Sequence, residues 1–179
     1  MFFRETKISG VFEIELDRKP DERGFFARTW CREEFGEHGL NPELAQCSIS
    51  YNAKKGTLRG MHFQSAPHTE AKLVRCTQGS IFDVAIDLRP SSPTYTQWVG
   101  SNLSAENRNM LYIPEGCAHG FLTLEDHAEV LYFISEFYHP ESSHGFRWND
   151  PSFGVKWPGD PLVMSDRDRQ YPDFEINRL

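Results

Sequence analysis

Polar and apolar residues alternate along most of the chain, with the period of a strand that buries one face. Val11 to Leu16 carries the first such run. Lys19-Pro20-Asp21-Glu22-Arg23-Gly24 then reads as a turn into an aromatic strand over 25–30. Residues 32–36 are patterned as a short helix with Gly36 near its end. Further strands are predicted at 46–52, 57–64, 71–78, 80–88, 96–103, 109–113, 120–123 and 129–137, and a last helical turn at 165–170. Turn signals separate most of them, at Gln78-Gly79, Arg89 to Pro93, Ala105-Glu106-Asn107 and Pro114-Glu115-Gly116. Many short strands divided in this way predict one all-β domain over residues 1–179, a sandwich or barrel of which the jelly roll is one form.

A chain of 179 residues suits a single domain and buries a core without disulfide or metal staples. Its net charge of −7 lacks the basic face of a nucleic-acid binder. A small anion remains compatible, because a few converging Arg side chains hold a diphosphate inside an acidic protein. Cys31, Cys47, Cys76 and Cys117 are too dispersed for a zinc finger or a disulfide framework, so reduced thiols and a cytoplasmic location are expected. The first residues are charged too early for a signal peptide, and no apolar run reaches the ~20 residues of a membrane helix.

Chemistry concentrates in a few segments. On a strand, Gln46, Ser48, Ser50 and Asn52 share one face and form a row of hydrogen-bonding side chains. Leu58-Arg59-Gly60-Met61-His62-Phe63-Gln64 brings a guanidinium and an imidazole close together, although strict alternation sets Arg59 and His62 on opposite faces. For both to serve one ligand, the strand must twist or end there, or a second subunit must contribute. Lys72 lies between strand apolars, where a lysine ordinarily points to solvent. Pro114-x-Gly116-x-x-His119, taken with Gly60-x-His62, resembles the two halves of a cupin barrel. His62-x-Gln64 stands where many cupins have His-x-His, and His62, His119 and Glu70 make a thin ligand set, so a metal-free site is expected.

The resemblance then becomes specific. Asp21-Glu22-Arg23-Gly24-Phe25-Phe26, 58–64, Lys72-Leu73-Val74, Asp83 to Arg89, Ser92-Pro93-Thr94, Ile113 to Phe121, Leu131-Tyr132, Phe137-Tyr138-x-Pro140, Trp148-Asn149-Asp150-Pro151 and Ser165-x-Arg167-Asp168 occur in order. Together they resemble the dTDP-4-dehydrorhamnose 3,5-epimerase family, metal-free cupins of deoxysugar biosynthesis, over nearly the whole chain. The resemblance implies a cupin, or double-stranded β-helix (jelly-roll) barrel, with short peripheral helices. It implies epimerisation at C3, C5 or both of a nucleotide-diphosphate 4-keto-6-deoxyhexose through an enolate, without a cofactor.

By the same resemblance His62 is the base, Asp168 its carboxylate partner, Lys72 the cation facing the enolate oxygen, and Tyr132 the acid on the opposite face. These types suit the chemistry. Imidazole titrates near neutral pH, a phenol with a pKa of about 10 stays protonated there, and a cation stabilises developing charge. His119 assists or lines the pocket. Arg23 and Arg59 match the diphosphate contacts, Phe26 and Tyr138 aromatic positions around the ligand, and Gln46 the start of the nucleotide-side strand. A homodimer is implied, since the family's nucleotide site borrows residues from a partner subunit. Asp168 would otherwise read as a solvated acid, and His38, His68, His127, His139 and His144 as surface residues.

The chain departs from the family pattern at Ser48 to Asn52, at Arg28 where an acid is usual, at Glu70 where Gln is common and at Phe133 where Lys often follows the Tyr. The first two fall on nucleotide-side segments and leave the nucleotide open. Two other readings compete: a non-catalytic sugar-nucleotide-binding cupin, and a metal-dependent cupin.

Overall fold

In the computed structural model, which describes residues 1–175, the alternating runs pair into two facing antiparallel sheets. In chain order the strands are β1 (Phe2–Glu5), β2 (Phe12–Glu15), β3 (Lys19–Asp21), β4 (Gly24–Phe26), β5 (Gln46–Asn52), β6 (Leu58–Gln64), β7 (Lys72–Gln78), β8 (Ser80–Asp87), β9 (Trp98–Ser104), β10 (Met110–Ile113), β11 (Cys117–Thr123), β12 (Ala128–Ile134) and β13 (Ser143–Gly145). Helix α1 (Arg32–Glu37) comes after β4, and α2 (Asp166–Gln170) lies near the end. One sheet runs β1-β2-β10-β7-β12-β5 and the other β13-β6-β11-β8-β9. This is the expected jelly-roll barrel with short peripheral helices. The domain range drawn to residue 179 includes 176–179, which lie outside the described residues.

Several strand boundaries differ from expectation; β12 ends at Ile134 rather than at residue 137, and β9 starts at Trp98 rather than at residue 96. Lys19–Asp21 pairs with Gly24–Phe26 as a two-stranded hairpin joined to neither sheet, so the aromatic strand stops at Phe26. Pro20 fits there because a free-standing hairpin has no inner ladder for its missing N–H to break. β11 begins at Cys117, since the Pro114–Gly116 turn ends in a left-handed Gly116 and pairing with Asp87 starts at once. β1 and β13 add to the expected set; each is a short edge strand with little alternation to read.

Strand alternation sorts the side chains into three apolar clusters. Val74, Cys76, Ile81, Ala85, Leu103, Leu111, Phe121 and Val130 fill the space between the sheets. Phe35 and Leu40 cover the outer face of the larger sheet over Ile14, Leu73 and Tyr112. Phe146 and Phe153 pack on the outer face of the smaller one against Met61, Val84 and Ile86. Along β7 and β12 the inward series passes from apolar (Cys76, Val74; Ala128, Val130) to polar (Lys72; Tyr132), which opens one end of the barrel to chemistry. No helix among the described residues is long and apolar enough to cross a membrane. The four cysteines are free, and burial pushes the thiols of Cys76 and Cys117 up to about 11 and about 12.

One motif of the resemblance has a structural role. Fully buried Asp87 accepts hydrogen bonds from Arg89 Nε (2.8 Å), Ser92 Oγ (2.5 Å) and Thr94 Oγ1 (2.7 Å), closing the turn after β8. Burial works against its charge, but these donors prevail and lower the carboxyl to about 2. A folded-state value below the unfolded one means stability that is present above about pH 4 and lost as pH falls toward 2. The shift corresponds to roughly 2 kcal/mol. Asp87→Asn is therefore expected to lower neutral-pH stability by roughly that amount and to flatten the loss between pH 4 and 2, read by urea denaturation at each pH. An unchanged acid slope in the variant contradicts this assignment.

Candidate active site

The floor of the site depends on an irregularity in β6. β11 pairs His119 with His62 and Phe121 with Arg59, so Gly60 and Met61 together oppose Gly120 alone. This bulge inserts one residue and reverses the facing of the residues beyond it. Arg59 and His62, which strict alternation separates, thereby share the inward face, while Met61 turns into the outer cluster. Both strands need glycine at the crossing. A Cβ on Gly60, whose φ is +124°, would sit 2.6 Å from the Gly120 Cα, and one on Gly120 would sit 2.6 Å from the Met61 sulfur.

His62 Nε2 lies 2.6 Å from Asp168 Oδ1. Ser165 caps α2 by accepting the Asp168 N–H at 3.1 Å, a Ser-x-x-Asp start that fixes where the carboxylate points. Asp168 keeps only 4% of its surface, so it is not the solvated acid that its charged neighbours alone would suggest. Burial opposes its charge, yet hydrogen bonds from His62, Ser165 and the Gly60 backbone hold the carboxyl below its ordinary value. An ionised acceptor at Nε2 assigns the ring proton to that nitrogen and leaves the Nδ1 lone pair as the basic position. The ring remains more than a third exposed, so an incoming ligand can reach it. Beside it, buried His119 Nε2 bonds Asp83 Oδ1 at 2.7 Å, and the second Asp83 oxygen has no hydrogen-bond partner among the described residues.

The facing sheet supplies the complementary groups. Tyr132 projects inward from β12, its ring 6.0 Å from that of His119 and edge-on to it. Burial, and then the negative Asp83, push its phenol well above the ordinary range, against the opposing influence of the Arg59 charge and the Ser50 hydroxyl. Lys72, on the same inward face of β7, is nearly buried and ion-paired at 2.7 Å to Glu70. β5 pairs Tyr132 with Ser48, Val130 with Ser50 and Ala128 with Asn52, which turns the predicted polar row toward the cavity. Arg59 Nε donates to Asn52 Oδ1 at 2.8 Å. Gln46 Oε1 accepts the Tyr138 N–H at 2.9 Å, and the Tyr138 phenol meets Arg167.

Thus His62, His119, Arg59, Lys72, Tyr132, Asp168 and Gln46 converge, with Tyr138 at the rim. Arg23 and Phe26 do not join them within one chain. Both lie on the exposed β3–β4 hairpin, and among the described residues the Arg23 side chain bonds Asp21 alone. Asp83 and Arg167 stood in matching motifs without an assigned role, Glu70 was not read as a Lys72 partner, and Tyr171 was not singled out. An acid at an inward strand position was the available signal for Asp83. Tyr171 packs against the Gly145 backbone and edge-on to His62, a contact made by a distant loop. Among the described residues, His62, His119 and Glu70 form no metal-ligating group. His68 and His139 are half-buried and stacked rather than free on the surface.

This arrangement places the carboxylate-bonded imidazole of His62 and the phenol of Tyr132 on facing sheets, with Lys72, paired to Glu70, on the sheet that carries Tyr132. Such a set can remove a proton beside a carbonyl and return one to the other face. Residues 5–175 match the family model described as dTDP-4-dehydrorhamnose 3,5-epimerase. The chain is 44% identical to the protein of that name from Methanothermobacter thermautotrophicus, over 98% of this chain and 95% of the relative. It is 38% identical to the Bacillus anthracis enzyme solved with TDP and pyrophosphate, covering 97% and 99% of the two chains with a TM-score of 0.92. A Legionella pneumophila structure holding dTDP-4-keto-L-rhamnose is 37% identical, covering 99% and 94% with a TM-score of 0.90.

Proposed function

This chain belongs to the dTDP-4-dehydrorhamnose 3,5-epimerase family and is a sugar-nucleotide isomerase, and on that premise we propose how its residues divide the reaction. The substrate is a dTDP-linked 4-keto-6-deoxyhexose. His62 Nδ1 takes the proton from the carbon beside the ketone, and the C–H electron pair moves into the enolate. Asp168, already ionised, stabilises the imidazolium that results. Lys72 stabilises the enolate oxygen, and its pairing with Glu70 delivers the ammonium oriented. Tyr132 then gives its proton to the opposite face of the same carbon, and solvent restores both groups to their starting states. The observation that carries this reading is that His62 and Tyr132 rise from facing sheets, since inversion needs the two proton transfers on opposite faces.

Deuterium incorporation from heavy water, followed by NMR on dTDP-4-keto-6-deoxyglucose, tests it. Exchange at C3 and C5 with inversion is expected. Exchange at one carbon assigns a single-carbon epimerase, and tight nucleotide binding with no exchange instead identifies a binding module.

The diphosphate falls to Arg59 and to Arg23. Because Arg23 and Phe26 stand on a hairpin that pairs with no other strand, we propose that they complete the site of a second copy, making the enzyme a homodimer. Exposed Ile49 and Tyr51 on the outer face of β5 offer apolar surface for that association. A guanidinium–phosphate hydrogen bond contributes about 1.5–3 kcal/mol. Arg23→Ala is therefore expected to raise KM about tenfold or more with kcat nearly unchanged, and sedimentation to give a dimer mass. A monomer active at assay concentration contradicts the exchange of hairpins.

A further inference from the structure

We propose that His68, His139 and Glu141 form a binding site for a divalent transition-metal ion of the zinc class, separate from the catalytic residues. One ligand-bearing segment is the turn after β6, and the other leads from β12 into the short 3-10 helix Pro140–Ser142. Their donor atoms all lie within 4.8 Å of one another. The two imidazoles stack with centroids 3.5 Å apart and planes 8° from parallel. Glu141 Oε1 stands 3.3 Å from His139 Nδ1, and Glu136 Oε1 stands 3.9 Å from its Nε2. Two imidazoles and the Glu141 carboxylate are a donor set that zinc and cobalt(II) accept, with water completing a tetrahedron.

The backbone beneath is fixed by one side chain. Gln64 Nε2 donates to the His68 and Phe137 carbonyls, each at 3.0 Å, while its Oε1 accepts the His139 N–H at 2.7 Å. Buried Gln64 therefore holds both segments at the spacing the ligands need. Only side-chain torsions remain to be set. Stacked rings keep their lone pairs in two parallel planes, so an ion bound by both turns the rings out of their stack until both point at it. Tyr138 sits between Phe137 and His139, and its N–H is already bound to Gln46. Occupancy therefore tethers the segment carrying the aromatic rim of the active site to the turn after β6.

The test is calorimetric titration of the untagged protein with zinc chloride, repeated with cobalt(II) to read coordination from its visible spectrum. One equivalent is expected per chain, with the absorption of a four-coordinate cobalt centre. His68→Ala is expected to weaken binding about tenfold or more, since even outer partners of metal ligands are worth 10–100-fold. Glu141→Gln, an exposed and nearly isosteric change, is expected to act in the same direction and guards against a folding defect in the first variant. His62→Ala is expected to bind zinc as tightly as the wild type. Absence of stoichiometric binding, binding that survives both His68→Ala and Glu141→Gln, or binding lost in His62→Ala overturns the proposal.

Discussion

His62→Ala is expected to abolish deuterium incorporation at both C3 and C5 and to lower kcat by about 10²–10⁴-fold, the range general-base catalysis contributes. Of the ionisable groups gathered here, His62 combines a free ring nitrogen, an exposed edge and an ionised partner that fixes its tautomer. His119 is no substitute, because its ring is buried and turned onto Asp83. The variant leaves Asp168 buried without its main donor, so some loss of stability accompanies the change. Thermal unfolding of the variant separates that loss from the chemistry. A folded His62→Ala protein that still exchanges deuterium at the wild-type rate assigns the base elsewhere.

Tyr132→Phe is expected to separate exchange from inversion. The base remains, so deuterium should still enter at C3 and C5, but with retention, as His62 removes a proton and returns a solvent deuteron to the same face. Inverted product should fall by about 10²–10⁴-fold, the range for a positioned acid. The phenol is suited to this role by its surroundings: burial and the nearby Asp83 keep it protonated, and the facing sheet keeps it opposite the base. Loss of the hydroxyl leaves Ser50 without that partner, at a cost of about 1 kcal/mol in stability. Inversion at the wild-type rate in this variant removes Tyr132 from the mechanism. A loss of exchange and inversion together makes it part of proton abstraction instead.

Much of this was legible from residue patterns. The run Gln46 to Asn52 is read as one strand with a polar face, and that strand and that face are what the fold uses. The helix near Arg32 and the turn into α2 also stand where their signals place them. The proposed catalytic roles were legible only through motif order, because a lone Lys72 or Asp168 has a more ordinary reading. Glu70 was visible as a departure from the family pattern, but its hold on Lys72 needed coordinates.

Local chemistry decided the strands, the short helices and the supply of base, acid and cations, because side-chain period and turn residues act over a few positions and need no partner. Tertiary structure decided which of those groups meet. A glycine bulge between β6 and β11 puts Arg59 and His62 on one face against strict alternation. A C-terminal helix carries Asp168 across more than a hundred residues to the imidazole. The closing of two sheets sets Tyr132 opposite His62. The hairpin bearing Arg23 is left outside its own barrel. Each of these depends on pairing register and chain return between distant segments, which no window of sequence contains.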